Sequence, residues 1–202
     1  MKETTANKIR EMAMQNNGFI HTKDVVINKI SKTHLTTMVN LGYLERVKKG
    51  LYRLTELESV AYEYFVDAQK AIPQGVICFF SALKYHNLTT INPSDIHIAI
   101  PRKSKTVLPE YPPVKIHYLG DKYFDIGIDH VSIRSETIKI YTKEKTLCDC
   151  IKYRNKVGTD QMVEAFKTYL RDKAHRDLPL LINIAEQCGV AEAVRNYAEV
   201  LI

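Results

Sequence analysis

The chain has 202 residues, 45% hydrophobic and 26% charged, which is enough apolar material for one or two cored domains. Its four scattered cysteines exclude a disulfide framework, and no apolar run approaches the roughly 18–20 residues that a bilayer-spanning helix needs. The formal net charge of +6 sits entirely within residues 1–55, which hold ten Lys or Arg against four Asp or Glu. A basic segment on a neutral body is the electrostatic footprint of a nucleic-acid binder.

The N-terminal MKETTANKIREM is polar and lacks the apolar centre of a signal peptide, so a cytoplasmic protein without membrane contact is expected. Residues 3–16 form a predicted helix, with Ile9, Met12 and Ala13 on one stripe and Asn16-Asn17-Gly18 as its stop. Phe19-Ile20 returns the chain to the core. Thr22 is expected to cap a short helix from Lys23 to Asn28, with Val25 and Val26 facing inward. Ile30 bridges to a second cap, Ser31, and a helix that ends at Gly42. On that helix Leu35, Met38 and Val39 share the core face. Thr33, Thr36, Thr37 and Asn40 share the other, flanked by Lys32 and His34. Tyr43–Val47, a Lys48-Lys49-Gly50 turn and Leu51–Leu54 then make a basic hairpin, with Leu44 and Leu51 inward.

Helix, short helix, helix and hairpin in about 55 residues is the order of a winged helix-turn-helix. Threonine and asparagine suit base edges, since Asn pairs with adenine and Thr offers a hydroxyl and a methyl. Thr33, Thr36, Thr37 and Asn40 are therefore the candidate base readers. Lys23, Lys32, His34, Arg46, Lys48, Lys49 and Arg53 are the candidate phosphate contacts. The plainer alternative is a solvated amphipathic helix, or a winged helix that docks a protein.

Residues 55–70 are expected to form a connecting helix, with Thr55 and Glu58 as a capping box, broken at 72–75. The expected domains are thus 1–55 and 56–202, with 56–75 as the connection. The larger one is α+β: a buried helix over Val76–His86, four mainly antiparallel strands, then helices. The strands lie at Ile96–Ile100, Val114–Tyr118, Ile126–Ile133 and Thr137–Tyr141. Thr142 caps a helix to Arg154, another runs from Asp160 to Lys173, and two more are split at Gly189.

Asp95, His97, His117, Asp129 and His130 lie on or beside the strands, where a nuclease or nucleotidyl-transfer site is the competing reading. Alternation instead puts His97 and His117 towards solvent. Neither a catalytic site, a metal site nor a cofactor is expected, for no P-loop, GxSxG, HExxH or CxxC pattern occurs. Cys148 and Cys150 stand about 200° apart on a helix, which suits no shared ion. Lys145, Asp149, Lys152 and Arg154 mark a candidate partner surface, or simply a row of surface ion pairs.

Four stretches in order, GYLERVKKGLYRLT (42–55), FFSALKYHNLTT (79–90), IHIAIPR (96–102) and EKTLCDCIKYRNKVG (144–158), resemble AbiEi-type antitoxins of type IV abortive-infection toxin–antitoxin systems. The resemblance covers nearly the whole chain. It implies that the N-terminal domain binds inverted repeats in the promoter of its own operon and represses it. An inverted-repeat operator needs two copies, so a monomer in solution that dimerises on the DNA and cooperative monomers both stay open. The resemblance also implies that the C-terminal domain opposes a nucleotidyltransferase-like AbiEii toxin without a stable complex.

Overall fold

In the computed structural model, which describes residues 3–56 and 61–201, the chain divides into two units. The first holds residues 1–73, 106–113 and 132–137; the second holds 74–105, 114–131 and 138–202. The fold is α+β.

In the first unit the order is α1 (Glu3–Met14), β1 (Phe19–His21), α2 (Thr22–Ile27), α3 (Thr33–Asn40), β2 (Leu44–Lys48), β3 (Leu51–Leu54) and α4 (Glu63–Ala71). The strands form an antiparallel sheet in the order β1-β3-β2, with Phe19 opposite Arg53 and Leu44 opposite Leu54. Ile9, Ala13, Ile20, Val25, Leu35, Met38, Leu44 and Leu54 form the core between helices and sheet. Phe19 is buried beside Ile20 as expected, and Val47 and Leu54 are buried beyond the residues expected to face inward.

Several local expectations are corrected. Val26 is exposed, because successive helical residues point about 100° apart and the short α2 turns only Val25 inward. Thr22 is the first residue of α2 and no cap; the N–H of His21 instead donates to Asp24 Oδ2 at 3.4 Å. The Thr55 hydroxyl donates to the Gly42 carbonyl at 2.6 Å, and among the described residues the next helix, α4, starts at Glu63. Glu58, its expected partner, lies outside the described residues. α4, expected to connect the domains, groups with the first unit.

The second unit runs β4 (Val76–Ile77), α5 (Phe79–Tyr85), β5 (Ile96–Pro101), β6 (Val114–Leu119), α6 (Asp121–Phe124), β7 (Ile128–Ile133), β8 (Glu136–Tyr141), α7 (Lys143–Lys152), α8 (Arg154–Val157), α9 (Thr159–Arg171), α10 (Leu178–Cys188) and α11 (Ala191–Leu201). Residues 132–137, where β7 turns into β8, belong to the first unit. The sheet order is β6-β5-β4-β8-β7. Pairing is mixed where mainly antiparallel strands were expected: β5 runs parallel to β6 and β4 to β8, while β4 and β5 are antiparallel. The long 102–113 connection carries the chain back to the starting end of β5, which is what a parallel neighbour requires. The helix expected from Val76 starts at Phe79, because the β-branched pair Val76-Ile77 joins the sheet between β5 and β8. β5 is buried on both faces, as strands with parallel neighbours commonly are.

Helices α7, α9, α10 and α11 pack around the second core, which includes Phe79, Leu83, Tyr141, Leu147, Phe166 and Leu181. Thr142 caps α7 as expected, its hydroxyl oxygen accepting the Lys145 N–H at 3.2 Å. All four cysteines are free, buried thiols of this unit.

The Lys145 and Asp149 side chains, expected on the surface, are 0% and 1% exposed. Lys145 Nζ donates to both Asp149 oxygens at 2.6 Å and lies 4.2 Å from the Tyr141 ring centre. Burial pushes the Asp149 carboxyl up, against the pull of Lys145. Removing one partner of such a pair strands the other charge, at about 3–5 kcal/mol. Asp149→Leu is therefore expected to destabilise the second unit by about that amount in urea unfolding. Lys145→Met with Asp149→Leu should recover much of the loss.

Candidate nucleic-acid interface

The placement of the α3 face follows from how the helix begins and ends. Lys32 stands at the start of α3 with helical dihedrals, and Ser31 Oγ, one residue before it, accepts the Thr33 N–H at 3.4 Å. At the other end the Tyr43 N–H reaches the Met38 carbonyl and the Gly42 N–H reaches that of Val39, both at 2.9 Å. This is the Schellman closure, and it needs the left-handed Gly42, whose φ is +75°. With both ends fixed, Leu35 and Met38 are buried while Thr33, Thr36 and Asn40 are exposed.

The four candidate base readers are not equivalent. Thr37 is half-buried and its hydroxyl donates to the Thr33 carbonyl at 3.1 Å. The Thr33 hydroxyl pairs with that of Ser31 at 2.8 Å. The side chains of Thr36 and Asn40, one turn apart, have no hydrogen-bond partner among the described residues.

The candidate phosphate contacts divide more sharply. Arg53 is withdrawn from that role: its guanidinium lies 2.7 Å from Asp67, 2.9 Å from Glu45 and 3.9 Å from Glu63. Lys48 is withdrawn as well. Its ammonium donates to the Ala71 carbonyl at the end of α4, and burial lowers its pKa. Arg46 lies 3.3 Å from Glu110, an exposed pair that competes with a phosphate. Lys32 and Lys49 are exposed and unpaired among the described residues, while His34 is half-buried on α3. Lys23 is exposed along a groove with Met12, Gln15 and Asn28. Lys29, which belongs to no motif in the sequence, is exposed in the turn between α2 and α3 with φ +58°.

Asp67 is 1% exposed, and neither of its oxygens makes a well-formed hydrogen bond among the described residues. Burial lifts its carboxyl to about 6, in spite of Arg53.

In the second unit, Lys145 and Asp149 are corrected from partner surface to core. Lys152 Nζ donates to the Cys188 carbonyl at 2.7 Å and sits 3.7 Å over the Tyr123 ring, so it too is engaged. Arg154 alone of that set is exposed. The Asp/His set does not converge. Asp129 and His130 are exposed on β7, at the opposite sheet edge from β6, which carries His117. His97 and His117, expected to face solvent, are respectively buried and half-buried, with their ring nitrogens 3.1 Å apart. Among the described residues no three His, Cys, Asp or Glu cluster in a way that would hold a metal, and no helix is long and apolar enough to cross a membrane.

The folded pKa of Asp67 lies above its ordinary value, so the folded chain holds this proton more tightly than the unfolded one. The stability it contributes is full below about pH 4 and is lost as pH rises through about 6. Relative to Asp67→Asn, the wild-type first unit is expected to lose on the order of 2–3 kcal/mol between about pH 4 and 7. Urea unfolding of both proteins across that range checks it.

No family model matches the chain, and no curated protein matches it by sequence. Among solved structures it is similar to the RV2827C protein of Mycobacterium tuberculosis, with a TM-score of 0.61 and 11% identity, over 96% of this chain and 80% of that one. At that identity the likeness shows the α+β fold alone.

Proposed function

We propose that residues 3–54 form a winged helix that binds double-stranded DNA. In this reading α3 enters the major groove and the turn between β2 and β3 lies on the backbone. One observation carries it. α3 turns Leu35 and Met38 into the core and leaves Thr33, Thr36 and Asn40 exposed, within the segment that holds all the net positive charge. Thr36 and Asn40 read bases; Lys32 and Lys49, joined by Lys29, hold phosphates. Arg53 and Lys48 instead brace the hairpin against α4.

The resemblance to AbiEi-type antitoxins supports the wider role. The protein is a cytoplasmic antitoxin that represses its own operon through inverted repeats. Its C-terminal domain opposes a nucleotidyltransferase-like toxin without a stable complex. Two copies occupy such an operator, one on each half-site. The competing reading, a winged helix that docks a protein, is favoured by the exposed Val26, Ile27, Leu41 and Tyr43.

A salt-titrated binding assay decides between them, using the duplex immediately upstream of this gene and a scrambled duplex of equal length. Preference for the upstream duplex with a steep salt slope is expected. Lys32→Ala with Lys49→Ala should weaken binding to both duplexes and flatten the log–log slope by about two. Asn40→Ala should cost about 1–3 kcal/mol on the upstream duplex only. Arg53→Ala should lower stability and leave the slope unchanged. Weak binding that is equal on both duplexes would sink the DNA reading and leave protein docking.

A further inference from the structure

The second unit contains a cavity of about 390 Å³ that the DNA reading does not use. It lies over β5 and β6 beside the start of α5, and a second groove opens next to it past Phe80, His97 and Lys115. Its wall is a run of rings. Phe80 meets His97 edge-on at 5.4 Å, His97 stacks on His117 at 4.9 Å, and His117 meets Phe79 at 4.5 Å. Register explains the stack: Ala99 lies opposite His117 on the parallel pair, so His97 and His117 are diagonal neighbours on one face.

Two features define what the cavity accepts. The first is charge. Lys115 and Lys156 line it, and no carboxylate does among the described residues; Asp95 lines the adjacent groove. Burial drives the His97 imidazole down to about 4 and His117 to about 3, and Lys115 pushes both in the same direction. The cavity therefore carries positive potential from its lysines while both imidazoles stay neutral at pH 7. The second is hydrogen bonding. His117 Nε2 and His97 Nδ1 share one proton between them at 3.1 Å. Whichever ring donates it, the two remaining ring nitrogens are one donor and one acceptor. One donor and one acceptor among aromatic side chains suit a heteroaromatic ring such as a nucleobase, and two ammonium groups suit a phosphate.

We propose that this cavity binds a free mononucleotide, its ring along the Phe79–His117–His97–Phe80 wall and its phosphate between Lys115 and Lys156. The volume falls in the range of small-ligand sites and has room for a mononucleotide. The proposal stands apart from the DNA reading, because none of its residues belongs to the first unit.

The test is a titration of the full chain with adenosine 5′-monophosphate, uridine 5′-monophosphate, inorganic phosphate and the free nucleosides. The imidazole resonances of His97 and His117 are the readout, with the exposed His130 on β7, at the far edge of the sheet, as the internal control. At least one mononucleotide is expected to shift both resonances saturably and leave His130 unmoved. Phosphate and nucleosides alone should bind at least about tenfold more weakly. The exposed double variant Lys115→Ala/Lys156→Ala should weaken mononucleotide binding by about tenfold or more, with the fold intact by circular dichroism. Three results would overturn the proposal: no saturable shift with either mononucleotide, phosphate binding as tightly as the nucleotides, or unchanged affinity in the double-lysine variant.

Discussion

The second unit depends on one buried ion pair. Lys145 and Asp149 are a turn apart on α7, and both side chains are closed off from the surface. Such a pair is sustained only while its surroundings hold the geometry, and several neighbours are fitted to it. Tyr141, at the end of β8, offers its ring face to the ammonium and donates its hydroxyl to the Phe124 carbonyl at 2.7 Å. Thr142 starts the helix with its side chain and bonds its N–H to the Gly127 carbonyl at 2.8 Å. Gly127 itself, at φ +66°, passes so close that an added Cβ would stand 2.6 Å from Lys145 Cβ. Strand end, loop and helix start are thus locked around a single charge pair.

The first unit has a counterpart in Arg53. This side chain leaves β3 to meet Glu45 on β2 and Glu63 and Asp67 on α4. Lys48 reaches the C-terminal end of the same helix. The hairpin that carries Lys49 at its turn is therefore braced from behind by two of its own cations. A rigid turn loses little conformational freedom on meeting a backbone, which favours binding without adding a contact.

Local chemistry made much of this legible. The Gly42 stop, the Thr142 cap and the break at Gly189 rest on single residues with one dominant backbone use, and each stands where it was expected. The burial of Leu35 and Met38 follows from helical period alone. What the sequence hid depends on distant partners. Lys145 and Asp149 have the spacing of a surface pair, and only the packing of other helices against α7 turns them inward. Lys48 and Arg53 look like free cations until α4, well downstream, supplies Ala71 and Asp67. The alternation at Ile96–Ile100 marks a strand but cannot tell one covered face from two, so the His97–His117 pair was invisible. Strand order was equally hidden, since β4 enters the sheet between two strands that come later in the chain.

The cysteines have a practical consequence. Cys78, Cys148, Cys150 and Cys188 all lie in the second unit, and burial raises the pKa of each, so thiolate is scarce while the fold is closed. A thiol-reactive dye therefore watches one half of the molecule only. Its labelling rate reports how often the core around α5, α7 and α10 opens, and unfolding of the first unit passes unseen. Thiol labelling is thus a clock for the second unit that needs no engineering.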